Sequence, residues 1–376
     1  MLFRVKIFLD FLTLVIMVHI STGIGLSQTP VNSAPTIKIG LLFQDSSCRS
    51  ALNGAELAVR LANLKGGLNG RTFQLVSRSM EGPWGTGSRQ AVDLIFKEKV
   101  WALLGSHDGR NAHLVEQAAT KSQVVLLSSW SGDPTLSQAF VPWFYNCVPN
   151  DFQQATALIN EIYAIRKIRK PVIICDNEYD SQQAFNNFLK KARLEGNPEP
   201  VQFNYDTYNH DRNHLVNQIE NTGTDCVILF CGPSSSLEIF RQIRQMKMHI
   251  PVFGSLHLLN EDVLSINELR EYDNDLLIPS GTWPVRDMAA FVSEFKKTYG
   301  NDPGMVAAYA FDGMNLLIEA IKKSESSDRE RIQKALSGIK YTGVTGPVKF
   351  DEKGNRTGAF NPRSVINGVP AAAKTD

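Results

Sequence analysis

Short apolar runs alternate with longer amphipathic segments through the first third of the chain. The apolar runs have about four to seven residues each, a length typical of buried strands, and they are residues 37–43, 71–76, 101–105 and 124–129. Residues 51–64 and 87–99, which lie between them, carry apolar side chains at helical spacing. This order predicts strand–helix–strand units and a parallel sheet with helices on both faces.

Each of these predicted strands ends in small or polar residues. The four strand-end segments are residues 44–47, 79–82, 105–109 and 128–132. In open α/β sheets, ligands bind in the crevice beyond the carboxyl ends of the strands. We therefore expect the functional residues of this region in these four loops.

A second series of the same kind begins after a brief predicted strand at residues 143–145. Its apolar runs are residues 171–175, 201–205, 226–230, 251–254 and 276–281, and helix-patterned segments separate most of them. The last third is mainly helical and ends in a predicted hairpin with a Lys-Gly turn at residues 346–354. The fold class predicted is α/β, with two similar Rossmann-like lobes built on parallel central sheets.

Composition and charge exclude several classes of protein. The chain has 376 residues, of which 43% are hydrophobic and 20% are charged, and its formal net charge is +1. A nearly neutral chain does not present a nucleic-acid-binding surface. The motifs Gly-x-Ser-x-Gly, His-Glu-x-x-His and the Gly-rich phosphate loop are all absent from the sequence. We therefore expect neither an enzyme nor a bound cofactor or metal.

The N-terminus differs from the rest of the chain. Arg4 and Lys6 precede an apolar segment at residues 7–20, and small residues follow. This order is typical of a secretory signal peptide over residues 1–27, with a flexible leader at 28–35. The apolar segment is shorter than the ~20 residues of a spanning helix, although an uncleaved anchor stays an alternative. The expected location is periplasmic or extracellular.

The chain has five cysteines, which are Cys48, Cys147, Cys175, Cys226 and Cys231. Three of them lie in or beside apolar strand runs, where a thiol usually acts as a small buried hydrophobe. An odd number in an exported protein leaves at least one thiol free. The sequence does not specify any pairing among the five.

Six short motifs occur in a characteristic order behind the predicted signal peptide. They are Ile-Lys-Ile-Gly at 37–40, Asn-Gly-Ala-Glu-Leu-Ala at 53–58, Gly-Gly-Leu-Asn-Gly-Arg at 66–71, Ala-Leu-Leu-Gly at 102–105, Ala-Tyr-Ala-Phe-Asp at 308–312 and Gly-Val-Thr-Gly-Pro-Val-Lys-Phe-Asp at 343–351. With them, residues 36–366 resemble the type I periplasmic substrate-binding proteins of the leucine/isoleucine/valine-binding family, which serve ABC importers.

The resemblance implies two lobes joined by three crossovers, near residues 147–149, 278–284 and 341–346. Lobe 1 would contain residues 36–147 and 284–341, and lobe 2 residues 148–283 and 342–376. Such lobes close like a hinge on a small ligand.

The resemblance does not specify the ligand. In relatives that bind α-amino acids, hydroxyl groups in two loops hold the ligand carboxylate, and the matching positions here are Gly109 and Gly132. In those relatives an acidic residue pairs with the ligand ammonium; the matching position here falls near Leu256 or His257, and neither residue is acidic. Asp180 replaces a small residue after the cleft aromatic that Tyr179 matches. The loop after the first strand is also shorter than usual and lacks an aromatic residue.

The candidate ligand contacts therefore follow from position beyond strand ends or at a crossover. They are Asp45, Ser46, Ser106, Asp108, Arg110, Ser129, Ser131 and Asp133 in lobe 1, and Tyr179, Ser234, His257 and Trp283 in lobe 2 or at a crossover. Other roles stay open for several of these residues. The alternative for Asp108 and Arg110 is an ion pair with each other, and that for Asp133 is the capping of a turn. The alternative for His257 is a local hydrogen bond, and that for Tyr179 and Trp283 is packing between the lobes.

The function predicted is that of an extracytoplasmic solute-binding protein. It would capture a small polar ligand, an amino acid or a related compound, and deliver it as a monomer to the permease subunits of an ABC importer. The alternative is a ligand-sensing receptor of the same fold that signals to a membrane partner.

Overall fold

The computed structural model describes residues 36–138, 142–206, 212–281, 283 and 285–370. The predicted signal peptide and leader lie outside these residues, as does the end of lobe 2 from residue 371 onward. Among the described residues, no helix combines the length and apolarity that a membrane crossing requires.

The strands, in chain order, are β1 (Ile37–Phe43), β2 (Phe73–Ser79), β3 (Leu103–Ser106), β4 (Leu126–Ser128), β5 (Phe144–Asn146), β6 (Pro171–Cys175), β7 (Val201–Asn204), β8 (Cys226–Phe230), β9 (Val252–Gly254), β10 (Leu276–Ser280), β11 (Tyr341–Gly343), β12 (Gly346–Val348), β13 (Asn361–Ile366) and β14 (Val369–Pro370). The helices are α1 (Ser50–Leu64), α2 (Thr86–Phe96), α3 (Gly109–Lys121), α4 (Asp151–Ile159), α5 (Tyr179–Leu194), α6 (Arg212–Asn221), α7 (Pro233–Gln245), α8 (Ile266–Leu269), α9 (Val285–Tyr299), α10 (Met305–Ser324) and α11 (Arg329–Ser337).

Two sheets with the same strand order form the centres of the two lobes. In lobe 1, five parallel strands lie in the order β2-β1-β3-β4-β5. In lobe 2, the order β7-β6-β8-β9-β10 repeats that pattern, and antiparallel β13 and β14 extend the sheet. The strand order reverses between β1 and β3 and again between β6 and β8. These reversals are the switch points at which open α/β sheets bind ligands.

The strands are buried because helices cover them. All five residues of β6 and all five of β8 are buried, which explains why their sequences lack polar alternation. In lobe 1, α1 packs against α10, and Gly54 lies so close to the Ala307 carbonyl that a Cβ there would collide with it. Each fully buried leucine or isoleucine side chain in these cores contributes about 1.5–3 kcal/mol.

Buried polar contacts join two of the predicted crossovers. Arg356 is 1% exposed, and its guanidinium donates to the carbonyl oxygens of Cys147 at 2.9 Å and Thr345 at 2.8 Å. Asp312 accepts from the backbone N–H groups of Val344 and Thr345 at 2.9 and 2.8 Å. The Arg356 bonds link the chain after β5 to the chain after β11, and the Asp312 bonds link the chain after β11 to α10. The residues at which each lobe begins and ends stay a prediction.

Helix α4 begins at Asp151, and Asn150 is its N-cap in a capping box with Gln153, because the Asn150 amide oxygen accepts a free N–H of the first turn. Two other details differ from the sequence-based expectations. The predicted hairpin at 346–354 is instead the pair β11–β12, followed by a turn that a bridge between Phe350 and Arg356 closes. The terminal pair β13–β14 was not predicted.

All five cysteines are free thiols. Cys147, Cys175, Cys226 and Cys231 are buried, and Cys48 is partly exposed. Burial raises the pKa of Cys48 to about 11 and that of Cys147 to about 12. The thiols therefore act as small apolar side chains at neutral pH.

Candidate ligand-binding cleft

The loops at the carboxyl ends of both sheets face each other across a cleft of about 850 Å³. All four loops expected from the sequence of lobe 1 contribute to its wall, through residues such as Gln44, Glu81, His107 and Trp130. The wall from lobe 2 comes from the loops after β6, β8 and β9, which contain residues 177–180, 232–235 and 257–263. The volume lies within the range of about 300–1,000 Å³ that is usual for small-molecule sites.

Polar contacts cross the cleft from the first turn of α5 to the first turn of α3 and to the loop after β4. The Tyr179 hydroxyl donates to Asp133 Oδ2 at 2.8 Å, and the Gly109 backbone N–H donates to Asp180 Oδ1 at 3.0 Å. The Arg110 guanidinium lies over the Tyr179 ring, with Cζ 5.3 Å from the ring centroid. Lobe 2 therefore places an aromatic ring and a carboxylate against the N-terminus of a lobe 1 helix.

Asp133 is the centre of a buried hydrogen-bond network. Its carboxylate is 1% exposed and accepts from Thr135 N at 2.8 Å and bonds His113 Nε2 at 3.1 Å, besides its bond from Tyr179. Burial acts to raise the pKa of Asp133, but the bonds from His113, Thr135 and Tyr179 together hold it below its usual value. Asp133 and Glu116 raise the pKa of His113 to about 9. At neutral pH, the network thus contains a carboxylate paired with an imidazolium.

A second set of contacts lies where the loop after β9 meets lobe 1. Asp262 Oδ1 accepts from Arg49 N at 3.1 Å and Ser50 N at 3.0 Å, at the start of α1. Glu261 accepts from the N–H groups of Val306 and Ala307 at 2.9 and 2.8 Å, at the start of α10. Burial raises the pKa of Glu261 to about 7 in spite of these two donors. Two acids of lobe 2 therefore cap two helices of lobe 1, where the helix dipole favours negative charge.

The structure brings seven of the twelve candidate residues to the wall of the cleft. They are Asp45, Ser106, Asp108, Arg110, Tyr179, Ser234 and His257. The remaining five do not line it, and they are Ser46, Ser129, Ser131, Asp133 and Trp283.

The five residues outside the wall have local structural partners. Ser46 Oγ donates to Glu81 Oε2 at 2.9 Å, and Ser129 Oγ donates to the Gly105 carbonyl at 3.1 Å. Ser131 Oγ accepts from Asp133 N at 3.3 Å. Trp283 is 4% exposed; its Nε1 donates to Ser280 Oγ at 2.9 Å, and its ring packs edge-on against Tyr309.

The alternatives left open by the sequence have different outcomes. Asp108 does not pair with Arg110; it caps α3 by accepting from Asn111 N at 2.7 Å. Asp133 caps the short helical turn at Pro134–Ser137 and also bonds Tyr179 across the cleft. The His257 ring lies 6.2 Å from the Trp130 ring, at the junction of the two lobes.

Sequence reasoning missed several residues of the wall. Trp84, His107, Trp130 and Glu178 line the cleft but were not candidates. Each lies within or directly beside a strand-end loop, so their position in the chain was a signal that the prediction did not use. His107 is 2% exposed, and burial lowers the pKa of its imidazole.

The described residues contain no group of three or more His, Cys, Asp or Glu side chains that is arranged to hold a metal ion.

Comparison with proteins of known sequence and structure agrees with this architecture. A solved structure of the branched-chain amino acid substrate-binding protein LivJ from Streptococcus pneumoniae, in complex with isoleucine, has a TM-score of 0.76 and 20% identity, covering 90% of this chain and 98% of that chain. A solute-binding protein of Rhodopseudomonas palustris BisB5, in complex with 3,4-dihydroxybenzoic acid, has a TM-score of 0.72 and 20% identity, covering 88% and 93%. At this identity the likeness shows the fold.

Curated relatives include plant glutamate receptors. The chain is 24% identical over 316 residues to Glutamate receptor 3.1 of Oryza sativa subsp. japonica, which is 72% of this chain and 33% of the receptor. The chain spans less than half the length of the curated relatives it matches. The family model described as "Periplasmic binding protein" matches residues 36–361. With its two parallel sheets and the cleft between them, this chain belongs to the periplasmic binding protein family.

Proposed function

We propose that this protein is an extracytoplasmic solute-binding protein that captures a small polar ligand between its lobes and delivers it to an ABC importer. The observation that carries the proposal is the cleft of about 850 Å³ between the strand-end loops of two sheets with the same strand order. Switch points of open α/β sheets are the positions at which such folds bind ligands. Candidate contacts in this proposal are the seven predicted residues of the wall.

The contacts across the cleft support a ligand that acts through lobe closure. Bonds such as those of Tyr179 to Asp133 and Gly109 to Asp180 require both lobes to be close together. A ligand that touches both walls stabilises that arrangement by its differential affinity for the closed form. The permease subunits in the membrane then distinguish the ligand-bound protein from the unliganded protein by its closed shape.

The similar structures support a small organic solute. Two of them hold isoleucine and 3,4-dihydroxybenzoic acid. These two ligands differ in chemistry but are both small, so the shared fold supports a small solute without specifying its chemical class. Export to the periplasm or the cell exterior, release from a signal peptide and action as a monomer are parts of the same proposal.

Thermal shift measurements with a broad metabolite panel test this function. A ligand present at about 100 times its Kd stabilises the folded protein by about 2.7 kcal/mol, which raises the Tm of a chain this large by roughly 4 °C. Small-angle scattering with each hit should show a more compact particle. Failure of every solute to raise Tm, together with an unchanged scattering profile, would contradict a solute-binding role; turnover of a hit would indicate an enzyme.

A ligand-sensing receptor is the second candidate, because the curated relatives reported above are glutamate receptors. Transport and sensing differ in their membrane partner. Vesicles that contain the permease subunits should take up the cognate solute only when this protein is present, and such uptake supports delivery. Absence of uptake, with ligand-dependent binding to a membrane kinase or channel domain, supports sensing.

A further inference from the structure

A small chamber between the lobes adjoins the cleft. The chamber has a volume of about 20 Å³, which is enough for one group the size of a water molecule. Trp130, Asp180 and His257 line both the chamber and the cleft, so the two spaces adjoin. Asp151 and Ser181 line the chamber alone.

The chamber holds two carboxylates that lack a lysine or arginine partner among the described residues, although the charge of His257 acts on Asp180. Among the described residues, neither Asp151 nor Asp180 forms a salt bridge with lysine or arginine; Asp151 is 7% exposed and accepts a 3.3 Å bond from Gln154 Nε2. Burial, with the charges of Asp180 and Asp133, raises the pKa of Asp151 well above its usual value. Burial also raises the pKa of Asp180, although His257 and the Gly109 N–H oppose this and Asp108 and Asp133 add to it. Buried carboxylates in this state are stabilised by an incoming positive charge.

A second, independent observation points to a missing hydrogen-bond donor in the chamber. Ser181 is 4% exposed, and its Oγ has no hydrogen-bond partner among the described residues. A buried hydroxyl left without a partner destabilises the folded protein. A water molecule would satisfy the hydroxyl but would not supply the positive charge that Asp151 and Asp180 need in order to ionise. A group with several N–H donors and a positive charge would do both.

The positions that could bind an anion are already filled by the protein itself. The Gly109 N–H at the start of α3 donates to Asp180 Oδ1 at 3.0 Å. A Cβ on Gly132 would lie 2.5 Å from Asp151 Oδ1, and a Cβ on Gly109 would lie 2.8 Å from Asp133 Cβ. No hydroxyl-bearing side chain fits at either glycine unless these acids move. The chain's own carboxylates occupy the space in which a ligand carboxylate would need donors.

The charge of the adjoining cleft has the same sign. Its wall contains five further acids, which are Asp45, Glu81, Asp108, Glu178 and Asp262. Among the described residues of the wall, Arg110 is the one Lys or Arg side chain, and its guanidinium is stacked on Tyr179. A cleft lined mainly by one sign of charge concentrates ligands of the opposite sign.

We propose that the ligand is an organic cation with a primary ammonium group, which enters the chamber and donates to Asp151, Asp180 and Ser181 Oγ. The rest of the ligand then lies in the cleft against Trp130 and Tyr179, where aromatic faces favour positive charge. This inference rests on the proposed solute-binding function and adds to it the chemical class of the solute.

Matched amines, carboxylates and zwitterions test the ligand class on the full chain. Butylamine, 1,4-diaminobutane and benzylamine should raise Tm and bind in calorimetry, whereas butyrate and benzoate should not, and 2-aminobutyrate and phenylalanine should bind at least tenfold more weakly than the matched amines. Amine binding should release protons, because it favours the ionised carboxylates. Calorimetry in buffers of different ionisation enthalpy measures that release.

Isosteric variants locate the cation. D151N and D180N should each lower amine affinity at least tenfold while the unliganded Tm stays the same or rises, because the amide has no charge to bury at any pH. S181A should lower affinity about fivefold. The control E199Q removes a carboxylate that pairs with Arg193 on the surface and lines neither the cleft nor the chamber, so it should leave affinity unchanged within about twofold.

The possible failures can be told apart. Tight binding of a carboxylate or zwitterion, or amine affinity that D151N and D180N leave within about twofold, would overturn the cationic ligand class while the solute-binding function stands. A panel in which no solute raises Tm or changes the scattering profile would instead count against the function itself, and the cationic proposal would fall with it.

Discussion

The Tyr179 hydroxyl donates to Asp133 Oδ2 at 2.8 Å and so joins the first turn of α5 in lobe 2 to the loop after β4 in lobe 1. Arg110 covers the same ring from the start of α3. The bond forms only where the lobes are close together. Tyr179 therefore contributes to the closed arrangement more than to the stability of either lobe.

Replacing Tyr179 by phenylalanine should weaken ligand binding. The change leaves Asp133 with one donor fewer in the closed form, and a hydrogen bond to a charged group contributes about 1.5–3 kcal/mol, so we expect a loss of affinity of about tenfold to hundredfold. The unliganded Tm should change by less than about 1 °C. Calorimetric titration and a thermal melt measure the two effects.

Tyr163→Phe is the matched control for that variant. Tyr163 donates to the Pro198 carbonyl at 2.9 Å within lobe 2 and does not line the cleft. Its loss should lower the free energy of unfolding by about 1 kcal/mol and leave affinity unchanged. If Tyr179→Phe instead lowers Tm and spares affinity, its ring has a packing role alone.

Trp283 and Trp84 should respond in opposite ways to truncation. Trp283 is 4% exposed and packs on Tyr309, so Trp283→Ala should cost about 3–5 kcal/mol of stability. Trp84 is 72% exposed at the wall of the cleft, so Trp84→Ala should change stability by no more than about 0.5 kcal/mol and reduce affinity. Urea unfolding and titration of both variants check this; equal stability losses would refute the assignment.

His113 should make stability depend on pH in the neutral to alkaline range. Asp133 and Glu116 raise the pKa of His113 from 6.5 to about 9 in the folded state, so its stabilising effect is complete below about pH 6.5. The effect is lost as pH rises through about 9, where the folded imidazolium deprotonates. The Tm difference between wild type and His113→Gln should accordingly be largest at low pH within this window.

A double-mutant cycle with Asp133→Asn isolates the pair. The coupling free energy between positions 113 and 133 should be clear near neutral pH. It should shrink at more alkaline pH, because the imidazolium then loses its proton and becomes a neutral imidazole. Melting curves of the four proteins across this window measure the coupling. A coupling that does not change with pH would mean that the histidine acts as a neutral hydrogen-bond partner throughout.

Arg356 should be among the costliest side chains to remove. Its guanidinium is 1% exposed and donates to carbonyl groups of Cys147, Thr345 and Pro347, and its charge opposes the burial that raises the pKa of Asp312. Arg356→Met should lower the free energy of unfolding by about 3–5 kcal/mol. The control Arg60→Met breaks a surface pair with Glu294 at 2.8 Å and should cost less than about 1 kcal/mol.

Much of the fold was accessible from the sequence because its signals are local. Apolar runs such as those of β1 and β8 and the helical spacing of α1 depend on residues adjacent in the chain. The strand-end loops followed from the same pattern, and all four expected in lobe 1 reach the cleft. The short pair β13–β14 was missed although its Asn367-Gly368 turn, with positive φ at both residues, is a local hairpin signal. Only the pairing of β13 with β10 depends on residues far away in the chain.

The side chains of the site were harder to predict than its loops. Ser129 and Ser131 lie in the expected loop, but their hydroxyls bond the backbone near β3 and β4. Trp130, between them, reaches the cleft instead. Which side chain of a loop faces the cleft depends on neighbours from other strands, and the pattern within the loop does not contain that information.

The sequence by itself determined the order of the elements, the two series of strands and the edge at which ligands would bind. Only the tertiary structure decided that Asp151 and Asp180 share a chamber and that the Gly109 N–H bonds Asp180. The physical reason is that these contacts join groups that are distant in the chain. Their burial, charge coupling and hydrogen bonds exist only where the two sheets face each other.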